Sequence, residues 1–522
     1  MTQPNHQPRP VRTGPLALAQ VLDTTEDAAI TGVSIDSRRV LEGDLYVALP
    51  GSATHGARFA AAAVAAGARA ILTDAEGAGL AAGAGVPVVA VADPRSEVAR
   101  IAAAVYGNPG EHLLMLGVTG TAGKTSTAFL LEAGLAAAGL PAATIGTLGF
   151  RLQGQDLPAD RSTITTPESS DLQALLAVMR ERGAEAVAME VSSHALALHR
   201  VDALTFDVAG FTNLGHDHLD FHRTQEAYYR AKASLFLDGR ARAAVITTDD
   251  PWGQRLAGEV RAEGRIPVVT TGGGPGCDYR VTARSVQPDG GTLVRVATPS
   301  GEVEFRLGLI GDFNVANALT ATAMLDVAGV DLSAALVGFA TAAIPGRMQR
   351  VPLPGAAPHV VVDFAHTPES VTAALSALPA GRRVVVLGCG GDRDSAKREP
   401  MGEAAARLAQ VVVVTDDNPR SEDPAAIRSA VLAGARRAAA ATGAEVLDGG
   451  DRRSAIRAAL DRAAPGEWVA ILGKGHERGQ EVAGVVTPFD DVAVAAQEWA
   501  ALRPGGLPGG PAAPGQEAGQ HG

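Results

Sequence analysis

The chain has 522 residues, of which 46% are hydrophobic, 20% charged and 4% aromatic, with a formal net charge of −12. That length leaves room for about three domains with ordinary cores, and the acidic balance argues against sequence-independent nucleic-acid binding, which needs a basic surface. Cys277 and Cys389 cannot build a disulfide framework and neither stands at a metal-ligand spacing, which fits a reducing cytoplasm.

Met1 to Arg12 is rich in Pro, Gln and Arg and has no apolar core of a secretory signal; residues 1–14 are expected to be disordered. From 15 to 110, Val33-Ser-Ile-Asp-Ser-Arg-Arg39 and Gly43–Pro50 carry alternating apolar positions beside an alanine helix. The alanine-rich stretch Phe59–Ala70 is too short and too weakly apolar to span a bilayer, so no membrane insertion is expected. Tyr106-Gly-Asn-Pro-Gly110 punctuates the chain and marks a first boundary.

A second domain, 111–345, opens on an apolar strand that runs into Gly120-Thr-Ala-Gly-Lys-Thr-Ser126 and then a helix. Glycines there let backbone N–H groups approach phosphate oxygens, and the helix adds its positive end. Lys124 would contact β/γ-phosphates and Thr125 would hold Mg²⁺. The full pattern wants glycine at 118, where this chain has Val118, so an ordinary glycine-rich turn is the competing reading. Apolar runs at Ala186–Met189, Val208–Phe211 and Ala244–Thr247 alternate with helical segments, as in a mainly parallel sheet covered on both faces. Residues 279–308 read as hairpins turning at Pro288-Asp-Gly-Gly and Pro299-Ser-Gly, followed by a helix over Val315–Val327.

The alternation restarts near Ile344-Pro-Gly-Arg-Met348. Strands at His359–Asp363, Arg383–Leu387, Val411–Thr415, Glu445–Leu447 and Trp468–Leu472 predict a second doubly wound unit over 346–502. Residues 503–522, almost all Pro, Gly, Ala and Gln, are expected to be a disordered tail.

Only four lysines, Lys124, Lys232, Lys397 and Lys474, stand among 45 basic residues. An amine can lose its proton and be modified where a guanidinium cannot, so these positions invite attention. Glu190 ends an apolar run and should emerge at the carboxyl edge of the sheet, where it can join Thr125 in an oxygen shell for Mg²⁺; a helix N-cap is the alternative. Lys232 stands at helical spacing from Tyr228 and Phe236, where a surface charge is the usual outcome. His216 and His222 read as solvated loop residues. Arg393 and Arg420 follow predicted strands, and guanidinium groups bind carboxylates bidentately. Asp417 and Glu477 could take an ammonium, although exposed surface arginines would look the same.

Taken in order, Asp36-Ser-Arg38, Gly120–Ser126, Thr165-Thr-Pro167, Glu190-Val-Ser-Ser-His194, Asn213-Leu-Gly-His-Asp-His218, Lys232, Gly311-Asp-Phe-Asn314, Gly346-Arg347, Asp363-Phe-Ala-His366, Asp417-Asn-Pro-Arg420 and Gly473-Lys-Gly-His-Glu477 resemble the Mur ligase family from about residue 15 to 500. The resemblance implies an α/β chain in three domains: a small N-terminal α/β domain for UDP, a central P-loop ATPase-like α/β domain and a C-terminal Rossmann-like α/β domain for an amino acid. It implies an ATP- and Mg²⁺-dependent amide ligase, a cytoplasmic monomer, that joins a diamino acid to UDP-MurNAc-L-Ala-D-Glu, with meso-diaminopimelate favoured over lysine or ornithine.

Carried over residue by residue, ATP would be held by Gly120, Thr121, Ala122, Gly123, Lys124, Thr125, Ser126, Asn314, Arg347 and Asp363. Ile35, Ser37, Ser52, Ala53 and Thr54 would contact UDP, and Thr165, Thr166, Ser192 and Arg200 the muramoyl peptide. Arg393, Asp417, Asn418, Pro419, Arg420, Gly473 and Glu477 would bind the amino acid. Metal ligands would be Thr125, Glu190, His218 and a carboxylated Lys232, with Lys124, Glu190, His218 and Lys232 forming the catalytic set. Domain closure is expected to complete the site. Leu198, Ala122 and Gln349 depart from the residues common at those places. The rival readings are a folylpolyglutamate synthase-like ligase and a P-loop kinase or binding module.

Overall fold

The computed structural model describes residues 9–11, 13–51, 53–157 and 164–503. The expected disorder of residues 1–8 and 504–522, and the UDP contact assigned to Ser52, lie outside the described residues. The chain divides into two compact units that part at Ala342/Ala343, with the turn residues Pro288–Gly290 grouped with the second.

In the first unit, four parallel strands, Gly32–Ser34, Asp44–Val47, Ala70–Thr73 and Val88–Ala90, make the N-terminal sheet. A larger sheet follows, in which Ala142–Gly146, Ala186–Glu190, Leu114–Thr119, Val208–Phe211, Ala244–Thr247 and Val268–Thr271 lie side by side and parallel. All five residues of Ala186–Glu190 are buried, as expected of a parallel strand covered on both faces. The hairpins expected over 279–308 form a three-stranded antiparallel sheet of Arg280–Val286, Thr292–Thr298 and Gly301–Leu307, and the next helix spans Asp312–Val327.

The two sequence blocks before residue 345 share this unit because one helix serves both cores. Leu172, Leu175, Leu176 and Met179 of the helix Ser169–Glu181 enter the central core. Ala174 and Ala177 of the same helix join the N-terminal core, which includes Val33, Leu45 and Ile101. Alanines on that face let the neighbouring layer approach closely. Ion pairs Arg95–Glu168 (3.1 Å) and Arg39–Asp171 (3.3 Å) flank the seam.

In the second unit, His359–Asp363, Trp468–Leu472, Arg383–Cys389, Val411–Asp416 and Glu445–Gly450 form a parallel sheet in that spatial order, edged by antiparallel Gln349–Val351. Its Val- and Ile-rich core packs against helices Arg452–Arg462 and Asp491–Leu502. Between them lies a fully buried ion pair: Arg452 donates from Nε (2.7 Å) and Nη2 (2.6 Å) to Asp491, and Nη2 also reaches Leu472 O at 3.1 Å.

Both ends are held further out than composition suggested. Arg9 donates to Asp44 at 2.9 Å and to Val33 O at 3.2 Å; Asp44 is only 2% exposed, and a buried carboxylate needs a cation. Arg503 lies 4.1 Å from the Trp499 ring centre and donates to Ala356 O at 3.1 Å. The expectation of disorder is therefore corrected at Arg9 and Arg503. No helix among the described residues is long and apolar enough to cross a membrane.

Candidate active site

The strand Leu114–Thr119 delivers its chain at the carboxyl edge of the central sheet, and Lys124 opens the helix Lys124–Ala137. Val118 is a buried strand residue that pairs with Glu190 on one side and Gly210 on the other. The departure from glycine at 118 is thus a lengthening of the strand, and only residues 120–123 form the loop. Both loop glycines are required sterically: a Cβ at Gly120 would stand 1.9 Å from Thr212 Oγ1, and one at Gly123 (φ +88°) 2.3 Å from Asn317 Oδ1.

Asn213 shapes this loop, a part the sequence did not assign to it. Its carbonyl oxygen accepts from Thr121 N (2.9 Å), its Oδ1 from Ala122 N (3.0 Å), and its Nδ2 donates to Ala122 O (3.1 Å). The N–H groups of Thr121 and Ala122 are therefore committed to the protein. The first i→i−4 bond of the helix runs from Thr127 N to Gly123 O, which leaves the N–H groups of Gly123, Lys124, Thr125 and Ser126 at the helix's positive end.

Lys124 Nζ donates to Gly120 O (2.8 Å) and Thr121 O (3.0 Å). Lys232, on helix Gln225–Leu237 and 1% exposed, donates to the same Gly120 O at 2.8 Å, with its amine 4.6 Å from the Tyr228 ring centre. Loss of hydration pushes the Lys232 amine well below its usual pKa, and the nearby Lys124 cation pushes the same way. Lys124 is also lowered, chiefly by desolvation, while Glu190 and Asp217 oppose the shift. Lys232 is thus a buried amine in the core rather than a surface charge.

Glu190 Oε1 accepts from Thr125 Oγ1 (2.9 Å) and Thr147 N (2.9 Å), and Oε2 from Thr147 Oγ1 (3.1 Å). Burial raises its pKa, with Lys124 as the main opposing influence. Ser192, not Glu190, caps the helix Ser193–Ala197, which removes the capping alternative. Thr147 follows the neighbouring strand Ala142–Gly146, and a Cβ at Gly146 would lie 2.1 Å from Glu190 Oε1.

His218 is half exposed, lies 3.4 Å from Asp217 and has its ring centre 6.1 Å from that of Tyr228, the ring that also receives Lys232. His216 is exposed. His222 corrects the expectation of a solvated residue: it is 8% exposed, its Nε2 lies 2.9 Å from Ser193 Oγ, and desolvation drops its pKa to about 4. Among the described residues no group of three His, Cys, Asp or Glu side chains converges as a metal cluster.

The residues expected to contact the peptide form a connected chain beside Glu190. Thr165 Oγ1 is 3.2 Å from Thr147 Oγ1. Thr166 Oγ1 donates to Glu190 O (2.8 Å) and accepts from Ser192 N (3.1 Å), so its hydroxyl is spent inside the fold. Arg200 reaches Thr166 O at 3.2 Å and Glu168 at 2.6 Å, and Glu168 also receives Arg95. In the N-terminal domain, Ile35 and Ser37 are half-buried, whereas Ala53 and Thr54 are exposed. Asp36 accepts from Arg38 N at 3.0 Å and pairs with its guanidinium, with its carboxyl held below the usual range by that partner. Asn314 donates to Ile310 O (2.9 Å) and accepts from Asn317 (3.1 Å).

The second unit gathers its own constellation at the carboxyl edge of its sheet. Asp363 ends a strand and accepts from Met348 N at 2.7 Å, its pKa raised by burial; the guanidinium carbon of Arg347 lies 5.1 Å from the Phe364 ring centre. Asn418 Nδ2 donates to Glu477 Oε2 at 2.7 Å. Asp417 is 7% exposed and lies close enough to Gly473 that a Cβ there would meet its Oδ2 at 2.4 Å. Arg420 donates to Gly391 O (2.7 Å) and lies 3.6 Å from Glu481, whereas Arg393 is exposed. Pro419 O accepts from Glu422 N at 3.1 Å, within a turn that Arg398–Glu422 (2.8 Å) braces.

Residues 29–106, 118–325 and 346–475 match, in turn, the family descriptions "Mur ligase family, catalytic domain", "Mur ligase middle domain" and "Mur ligase, glutamate ligase domain". The chain belongs to the Mur ligase family. It is 49% identical over 504 residues to the UDP-N-acetylmuramoyl-L-alanyl-D-glutamate–2,6-diaminopimelate ligase of Streptomyces coelicolor, covering 94% of this chain and 97% of that one. It is 44% identical to the UDP-N-acetylmuramyl-tripeptide synthetase of Leifsonia xyli, over 90% of this chain and 92% of that one. A solved 2,6-diaminopimelate ligase structure superposes with a TM-score of 0.72 at 30% identity, over 94% of this ligase and all of that chain. A folylpolyglutamate synthase from Thermotoga maritima, at 16% identity and TM-score 0.57 over 72% of this chain and 90% of that one, shares the fold alone.

Proposed function

We propose that this ligase adds meso-diaminopimelate to UDP-MurNAc-L-Ala-D-Glu at the expense of ATP, the tripeptide-forming step of peptidoglycan synthesis. What most supports a phosphate-activating ligase is the convergence of Lys124 and Lys232 on the Gly120 carbonyl, with Glu190 bonded to Thr125 in the first turn of the helix whose positive end faces the loop. A side-chain carboxylate oxygen of D-glutamate attacks the γ-phosphorus, ADP leaves, and an acyl phosphate forms. The amine then attacks the acyl carbon, sheds a proton, and phosphate departs. Lys124 and the N–H groups of Gly123 to Ser126 neutralise charge as it moves onto phosphate oxygens.

The oxygen pair of Thr125 and Glu190 fits a hard divalent cation that keeps waters and phosphate ligands. Thr125, Glu190, His218 and a carboxylated Lys232 would hold Mg²⁺, which supplies neutralisation of phosphate charge. Carboxylation of Lys232 has a local cause: two amines share one carbonyl acceptor, and the more deeply buried one is pushed toward its neutral, nucleophilic form. The ammonium first gives up a proton, and the neutral amine then adds to CO₂ and loses a second proton, so a cation facing Lys124 becomes an anion.

Arg420 and Arg393 give the second unit guanidinium groups for two carboxylates, and Asp417 and Glu477 give it acceptors for an ammonium, a set that matches diaminopimelate better than lysine or ornithine. The acidic chain with two isolated cysteines supports a cytoplasmic enzyme, and we assign it as a monomer. The test is a one-tube competition of meso-diaminopimelate, L-lysine and L-ornithine on UDP-MurNAc-L-Ala-D-Glu. Diaminopimelate should be incorporated fastest; faster ornithine or lysine overturns the specificity. Phosphate release from ATP that does not depend on an amino acid would favour a kinase instead.

A further inference from the structure

Lys474 follows the strand Trp468–Leu472 and is 0% exposed, yet the chemistry above gives it no task. Its neighbours Gly473 (φ +117°) and Gly475 (φ +54°) take backbone conformations that side-chain-bearing residues avoid, and a Cβ at 475 would stand 2.7 Å from Phe364 Cβ. This kinked backbone turns the lysine inward. There Nζ donates to Gly479 O (2.6 Å), Asn418 Oδ1 (3.2 Å) and Glu477 Oε2 (3.3 Å). Three acceptors around one ammonium use all its donors, a geometry that a planar guanidinium cannot reproduce.

Glu477 Oε2 also receives Asn418 Nδ2 (2.7 Å), and Asn418 Oδ1 also receives Glu481 N (2.9 Å). Lys474 therefore ties one oxygen of Glu477 to the Asp417–Arg420 turn and leaves Oε1 of that half-exposed carboxylate for a ligand. The amine of the incoming amino acid that forms the new bond must be neutral, so the ammonium that Glu477 can hold is the one at the unreacting end.

We propose that Lys474 is a positioning residue for amino-acid selection, fixing Asn418 and Glu477 so that Glu477 Oε1 recognises the distal ammonium of the substrate. The inference rests on the assignment of Glu477 to the amino-acid pocket made above.

The test offers the full-length enzyme meso-diaminopimelate and 2-aminopimelate, which lacks the distal amine, in one tube. The incorporation ratio is independent of how much enzyme is folded, so a purely structural role would leave it unchanged. K474M should lower the preference for diaminopimelate by about tenfold or more, the scale of a charge-assisted hydrogen bond, with KM values for ATP and UDP-MurNAc-L-Ala-D-Glu within about twofold of the parent. K474Q, which keeps a donor, is read in the same way should K474M fail to fold. An unchanged ratio in the lysine variants, while E477Q collapses it, overturns the role of Lys474. An unchanged ratio in E477Q overturns the pocket assignment itself.

Discussion

The two units present reactive groups at the same place, the carboxyl edge of a parallel sheet, but prepare them differently. At the central edge, Glu190 accepts three hydrogen bonds from Thr125 and Thr147, and both lysines donate to carbonyls of the loop. At the other edge, Arg393 is exposed and Arg420 braces the Gly391 loop, so the amino-acid pocket proposed there would rest on turns rather than strand ends. Phosphoryl chemistry is common to all substrates of such an enzyme and rewards a rigid frame; choice among amino acids is carried by loops, which vary without disturbing the frame.

The strongest challenge to that contrast is Lys124→Ala. Removing a preorganised charge from the cradle should cut phosphate release by about 10²–10³-fold or more with an unchanged circular dichroism spectrum. Near-normal turnover would show that the cradle is not the chemical centre. Lys232→Ala should be almost as inactive, and a short carboxylic acid at high concentration should restore part of the rate by occupying the vacated volume. No rescue, together with a bare amine in a crystal containing nucleotide and Mg²⁺, would exclude the carboxylated form.

Arg420→Ala tests the other edge. Losing a bidentate pair to a charged group costs roughly 1.5–3 kcal/mol, so KM for diaminopimelate should rise about tenfold or more while KM for ATP holds. Equal changes in both would mean that the turn is not specific to the amino acid. Thr147→Val removes one hydroxyl from Glu190 and should lower kcat by about tenfold, the worth of a single hydrogen bond to a charge.

The smallest effect is thermodynamic. Because the folded-state pKa of Lys232 is depressed, the unfolded chain binds more protons between that value and the ordinary lysine range, and stability rises with pH across this window. In CO₂-free buffer the wild-type Tm should therefore gain on that of Lys232→Met as pH climbs from neutral toward 10, and a constant difference would refute the burial argument.

Much of this was legible in the sequence for a physical reason. Val208–Phe211 and Trp468–Leu472 are unbroken apolar runs that end in polar or glycine residues, and the strands begin and end there. Ala70–Thr73 and Ala142–Gly146 escaped because short alanine-bearing runs look alike in helix and strand. Bonds from Thr147 to Glu190 and from Asn213 to Ala122 span distances in sequence that no local pattern encodes. The hairpin Gly479–Val482/Val485–Pro488 did leave a signal, the Ala483-Gly484 turn with both residues at positive φ.

Gly146 carries a consequence for drug resistance. Any side chain there would collide with the Glu190 carboxylate, just as one at Gly120 would collide with Thr212. A ligand that lies against these two glycines would press on backbone the enzyme cannot alter without displacing its own reactive groups. Escape by substitution would then be left to whichever neighbouring side chains such a ligand also touches.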